Sequence, residues 1–161
     1  YQYSHGGTWT NPHFEKVMVR QLADLRAYSL AHAAFGRAAD LDAARNVARY
    51  LLDMLRSDLG PFHASQDADV VRGEHAADYF ALDDAGRRRI GVPRIERSLW
   101  SRENGQALQA LASLQATAPE PRVATALREA ADWLLQHRRR SDELTALTAY
   151  CYRVRAVNDA P

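Results

Sequence analysis

The sequence predicts an all-α fold of stacked αα-hairpins with one small β-hairpin excursion. Three observations predict it. Apolar residues recur at helical spacing through five segments, capping and breaking residues mark the segment ends, and the links within each pair are short.

The first segment opens at Asn11-Pro12, which reads as N-cap followed by first helical residue. Asn accepts hydrogen bonds from free backbone N–H groups, and Pro has none to lose. Phe14, Met18, Leu22 and Leu25 follow at helical spacing, so the helix is expected to run to Phe35 with Gly36 just past its end. Asp40 reads as the cap of a second helix whose apolar stripe is Ala44, Val47, Leu51, Met54 and Leu55, stopped by Gly60-Pro61.

The middle reads differently. Phe62 to Gln66 and Asp78 to Leu82 are expected to pair as a hairpin around the acidic loop Asp67-Ala68-Asp69 to Gly73-Glu74. Ala and His are poor strand formers, so the pattern there is thin. Asp83 to Arg97 reads as an irregular connection punctuated by Gly86, Gly91 and Pro93. Helical pattern resumes with Ser101 as cap and Leu108, Leu111 and Leu114 as the buried face. Pro119 and Pro121 end that helix and open the next, along Val123, Leu127, Ala131, Leu134 and Leu135. Ser141 caps a fifth, with Leu144, Leu147, Cys151 and Val154 inward.

Stacked helix pairs imply a solenoid or an α/α toroid. A closed toroid of six pairs needs roughly twice this length or more, since twelve helices of ordinary size must fit with their loops. The 161 residues are therefore expected to form a single partial toroid domain. Its apolar end faces predict a homo-oligomer or packing on missing toroid segments.

Composition excludes several classes. Apolar content of 47% and charged content of 25% are those of a globular chain. The 21 basic and 20 acidic residues nearly cancel, which removes the electrostatic case for nucleic acid as a partner. The basic cluster His137-Arg138-Arg139-Arg140 falls at an expected helix C-terminus, where the helix dipole favours it. No window approaches the roughly 18 apolar residues of a membrane span. Cys151 is the only cysteine, so no intrachain disulfide, CxxC pair or cysteine-based zinc site exists, and a reducing cytoplasm is expected.

His13-Phe14-Glu15-Lys16, preceded by Pro12 and followed by Gln21 and Leu25-Arg26-Ala27-Tyr28, is similar to the PHFEKM…DQ…LLRAY segment of one protein family. Ser65-Gln66-Asp67-Ala68-Asp69 resembles its SSQDAD element, Tyr79-Phe80 falls at its FYVW, and Asn104-Gly105 at its WNG. The family comprises spermatogenesis-associated thioredoxin-like proteins and their bacterial relatives, with a thioredoxin-like domain followed by an α/α toroid. The chain departs from it at Val19-Arg20 for Tyr-Asp, Glu96-Arg97-Ser98 for Asp-Asp-Lys and Glu103 for Trp, and the thioredoxin-like domain is expected to be absent from these 161 residues. The resemblance implies a six-hairpin-glycosidase-like toroid, similar to those of sugar 2-epimerases, and carbohydrate chemistry by analogy.

In such a toroid the loops leading into the inner helices line a central cleft. That placement implies His5, His13, Glu15 and Glu103 as candidate catalytic groups, because His moves protons near neutral pH and a carboxylate can share them. It implies Trp9, Lys16, Asp67, Asp69 and Asn104 as substrate contacts, with Trp9 offering a flat face to a sugar ring. His13 and Glu15 in a first helical turn would equally balance the helix dipole. Asp67, Asp69 and Glu74 lack EF-hand spacing, with Val71 and Arg72 where a ligand and the turn Gly are needed. His63 and His75 lack a third ligand, so neither a metal nor a cofactor is expected. Two functions follow: epimerisation or isomerisation of a carbohydrate or small metabolite, and the alternative of a non-catalytic interaction module or an inactive fragment of a larger toroid.

Overall fold

Backbone pairing, rather than a capping side chain, sets where the first long helix begins. The structure, a computed structural model, describes residues 3–4, 12–71 and 76–138. Strand β1 (Tyr3–Ser4) pairs antiparallel with β2 (Pro12–His13), Tyr3 opposite His13. Strand β3 (Lys16–Val17) pairs antiparallel with β4 (Ser65–Gln66), which pairs on its other side with β5 (Ile95–Glu96). Helix α1 (Met18–Phe35) starts directly from β3, and the Met18 N–H donates to the Ala64 carbonyl at 2.9 Å. The expected start at Asn11-Pro12 is therefore corrected: Pro12–His13 and Lys16–Val17 are drawn into strand pairing, and His13 and Glu15 precede the helix. The far end is as expected. Gly36 takes the left-handed conformation at φ 67° and donates to the His32 carbonyl.

Helix α2 (Ala38–Tyr50) begins two residues before Asp40, which sits in its first turn and pairs with Arg37 at 2.7 Å. It continues into a π-helical turn, Leu51–Leu55. Only one arm of the expected hairpin is a strand. Ser65–Gln66 pairs with β3 and β5, whereas Asp78 to Leu82 largely falls in the short helix α3 (Ala77–Ala81). The interval expected to be irregular holds helix α4 (Asp84–Ile90), capped by Asp83 accepting from the Gly86 N–H at 2.7 Å, as well as β5. Helix α5 (Ser101–Thr117) has Ser101 as its first helical residue, not its cap, and α6 (Pro121–His137) opens on the expected Pro. The fifth expected long helix, from Ser141, lies outside the described residues.

The core is shared by two stacked pairs. Met18, Leu22 and Leu25 of α1 pack between Ala44, Ala48, Leu51 and Leu55 on one side and Ala107, Leu111 and Leu114 on the other. Val123, Ala126 and Ala130 close the α5–α6 contact. The buried face of α6 runs through Val123, Ala126, Ala130 and Trp133, leaving Leu135 63% exposed, so the expected stripe through Leu134 and Leu135 is rotated. Small Ala side chains at the facing positions let these helices approach closely. Gly60 joins the pairs: its φ is 105°, and a Cβ there would meet the Glu129 backbone at 3.1 Å.

One side chain fastens the loop after the π-helical turn to α5. Asn104, fully buried, accepts from the Phe62 N–H at 2.6 Å and donates to the Phe62 carbonyl at 2.9 Å. Its Nδ2 also reaches the Trp100 carbonyl at 3.1 Å. Replacing Asn104 with Ala leaves two buried backbone groups of Phe62 without that partner and should cost about 2–4 kcal/mol in urea unfolding. A loss under about 1 kcal/mol would show that the loop finds other partners.

Candidate functional site

The three-stranded sheet sits where α1 and α5 begin, and it builds one wall of a cavity of about 320 Å³. Register places Lys16 opposite Gln66, and both side chains enter the cavity. The remaining wall comes from Tyr50 at the end of α2, Tyr79 and Phe80 of α3, and Arg87 of α4. Phe14 stacks on Phe80 with centroids 4.3 Å apart, and Tyr79 meets Phe80 edge-on at 5.0 Å. The Tyr79 hydroxyl donates to the Gly91 carbonyl at 2.9 Å, which ties α3 to the end of α4. The Lys16 ammonium lies 5.1 Å from the Phe80 ring and 5.8 Å from the Tyr50 ring. Tyr50 donates to Gln66 Oε1 at 3.2 Å, so the amide is held in place on the cavity wall.

The electrostatics are uneven. Burial first, and the neighbouring Arg87 cation second, hold the Lys16 ammonium below the usual lysine value of 10.5. Burial alone pushes the Tyr50 phenol up, so it stays a neutral donor. The two carboxylates on the cavity already have partners: Asp53 with Arg122 at 2.6 Å, and Asp84 with Arg88 at 2.8 Å. Among the described residues no carboxylate forms an ion pair with Lys16 or Arg87. The chain holds 21 basic residues, of which Lys16 is the one lysine. The π-helical turn carrying Asp53 and Met54 borders the same cavity, as such turns often do at functional sites.

The residues expected at the site separate. Lys16 lines the cavity. Asp67 and Asp69 lie in the loop just beyond β4; Asp67 caps the Ala68 N–H at 2.8 Å and approaches Arg94 at 3.6 Å, off the cavity wall. Glu103, 6% exposed, lines a different groove of about 410 Å³ between α1 and α5, with Arg20, Arg26 and Arg102. Glu15 is half-buried and lines neither space. The amide of Asn104, expected as a substrate contact, is engaged by Phe62 and Trp100. His13 pairs through its backbone in β2; its side chain, His5, Trp9, Glu74 and His75 lie outside the described residues. His63 donates from Nδ1 to the Arg97 carbonyl at 3.0 Å and is held below the usual histidine value, chiefly by burial.

Sequence reasoning missed Tyr50, Gln66, Phe80 and Arg87 as wall residues. Gln66 and Phe80 stood inside the segments that carried the family resemblance, which was the available signal. Arg87 sits in a run of three arginines and Tyr50 at a helix end, and neither position announces a cavity. Among the described residues no helix is long and apolar enough to cross a membrane. None of their His, Cys, Asp and Glu side chains form a group of three or more able to hold a metal ion.

No protein-family profile and no curated protein sequence matches the chain. Solved structures do. It is similar to cellobiose 2-epimerase from Spirochaeta thermophila, at 23% identity and a TM-score of 0.57, over 77% of this chain and 26% of the epimerase. It is also similar to a family 76 glycoside hydrolase from a bovine Bacteroides thetaiotaomicron strain, at 13% identity and a TM-score of 0.60, over 80% of this chain and 24% of the hydrolase. The fold is that of stacked αα-hairpins forming part of an α/α toroid. The chain spans about a quarter of the length of either neighbour.

The lowered Lys16 value has a consequence for stability. Between its folded value and 10.5 the unfolded chain binds a proton that the folded chain has released, so stability rises with pH across that window. Parent and Lys16→Met proteins unfolded in urea at rising pH should differ accordingly. The parent gains on the variant as pH approaches 10.5, and a flat difference would contradict the burial of this amine.

Proposed function

We infer that the chain binds a carbohydrate or related small metabolite in the cavity around Lys16 and contributes to its epimerisation or isomerisation. The observation that carries this reading is the wall itself. Aromatic faces of Tyr50 and Phe80 stand beside the fixed Gln66 amide and a cation, the combination that grips a sugar by ring stacking and by hydrogen bonds to its hydroxyls. The fold neighbours, a cellobiose 2-epimerase and a glycoside hydrolase, support it by analogy of architecture. Membership of the thioredoxin-like-domain toroid family is our reading of the motifs around His13, Ser65 and Asn104, and a cytoplasmic setting is our reading of the single Cys151.

Epimerisation beside a carbonyl removes a proton from the adjacent carbon and returns it to the other face. His13 or His5 would serve as base with Glu15 assisting and Trp9 contacting hydroxyls, while Glu103, Asp67 and Asp69 would take part where the ligand extends past the cavity, toward the groove between α1 and α5 or the loop beyond β4. A second reading, an interaction module, draws on exposed apolar side chains: Leu30 at 51%, Phe35 at 69% and Leu135 at 63%. These faces suit packing on further hairpins or on a second copy.

Calorimetric titration with a panel of reducing sugars tests the binding. Phe80→Ala should weaken it about tenfold, equivalent to about 1.4 kcal/mol. Sugar turnover that survives unchanged in both His13→Ala and Glu103→Ala would remove the assigned acid–base pair. Sedimentation of a uniform monomer that binds no sugar would sink both readings.

A further inference from the structure

Lys16 stands in a setting that suits a reactive amine better than a surface charge. It lies between two aromatic rings, at 5.1 and 5.8 Å, on a cavity wall large enough for a monosaccharide-sized ligand. Among the described residues, the charged groups facing that cavity are accounted for. Asp53 pairs with Arg122, Asp84 pairs with Arg88, and Arg49 donates to Asn46, while Arg87 is the cation on that wall whose charge bears on the amine. Desolvation together with a neighbouring cation is the arrangement that frees a lysine amine to act as a nucleophile. Every other basic residue in the chain is an arginine, whose guanidinium cannot do this chemistry.

We propose that Lys16 condenses reversibly with the carbonyl of an open-chain reducing sugar to form an imine within this cavity. The proposal rests on the sugar-binding reading above and deepens it. The amine lone pair attacks the carbonyl carbon, forming the C–N bond as the C=O π pair moves to oxygen. A proton passes from nitrogen to that oxygen, giving a carbinolamine. Loss of the hydroxyl as one molecule of water leaves C=N, with no net oxidation or reduction. The protonated imine withdraws electrons from the adjacent carbon and so acidifies the C–H that an epimerase must open. Gln66 stands beside Lys16 to receive a sugar hydroxyl, and the Tyr50 phenol, kept neutral by burial, holds that amide still.

Because Lys16 is the chain's one lysine, the test has a single-site readout. The chain is incubated with D-glyceraldehyde or glucose and cyanoborohydride at pH 7, and the adduct is located by peptide mass spectrometry. The expected result is an adduct at Lys16 that forms at least about tenfold faster in the folded chain than in the same chain unfolded in urea. Lys16→Arg should lose it. Arg87→Gln should keep its melting temperature, slow the adduct at neutral pH and move the pH midpoint of its formation upward. Equal rates in folded and unfolded chains, or adducts confined to the N-terminal amine, would overturn the proposal. Calorimetry without reductant separates the two claims. Glucose binding without accelerated adduct ends the imine and leaves sugar binding standing, whereas a fast glyceraldehyde adduct without glucose binding supports the amine chemistry and ends the sugar reading. Absence of both ends both.

Discussion

Everything placed at the candidate site depends on the short central strand Ser65–Gln66. It pairs with Lys16–Val17 on one side and Ile95–Glu96 on the other, so a handful of backbone hydrogen bonds fixes where both α1 and α5 begin. Strands of two residues are marginal alone. Here they are held by the helices that follow them and by Asn104, which clamps the Phe62 backbone to α5 three residues before the strand. The same register sets Lys16 against Gln66, and that pair is the floor on which the aromatic wall closes.

The cavity then acquires its character from what is withheld from it. Among the described residues, each carboxylate on its rim already answers an arginine, and the lysine meets π faces and the charge of another cation. A cation in that position is disfavoured, and its proton is held loosely. The amine is thereby more available as a nucleophile than that of an exposed lysine. The same setting explains why a half-buried lysine is compatible with a stable fold: the rings supply part of the interaction that water would have given.

Much of the fold was legible in the sequence, and particular residues show why the rest was not. Gly36 and Pro121 mark helix boundaries through local backbone chemistry, and both boundaries fall where those residues put them. Asn11-Pro12 carries an equally plain local signal, yet the segment that follows is captured by strand pairing with residues far along the chain. The aromatics of Asp78 to Leu82 suggest a strand, although its Ala-flanked sequence favours the helical turn it adopts. The apolar pattern of α6 points to Leu127, Ala131, Leu134 and Leu135, whereas close helix packing buries Ala126 and Ala130. The candidate site followed the same division. Lys16 was visible in its motif, whereas Tyr50 and Arg87 reach the cavity only through tertiary structure.

The account stands on Lys16 being the amine at the heart of a ligand cavity. Selective nitrogen-15 labelling of lysine gives one side-chain NMR resonance in this chain, and titration with a reducing sugar follows it directly. The account predicts that this resonance moves on addition of glucose, with Phe80→Ala weakening the response. A resonance that stays fixed while glucose perturbs backbone signals elsewhere would place the ligand in another part of the molecule and contradict it.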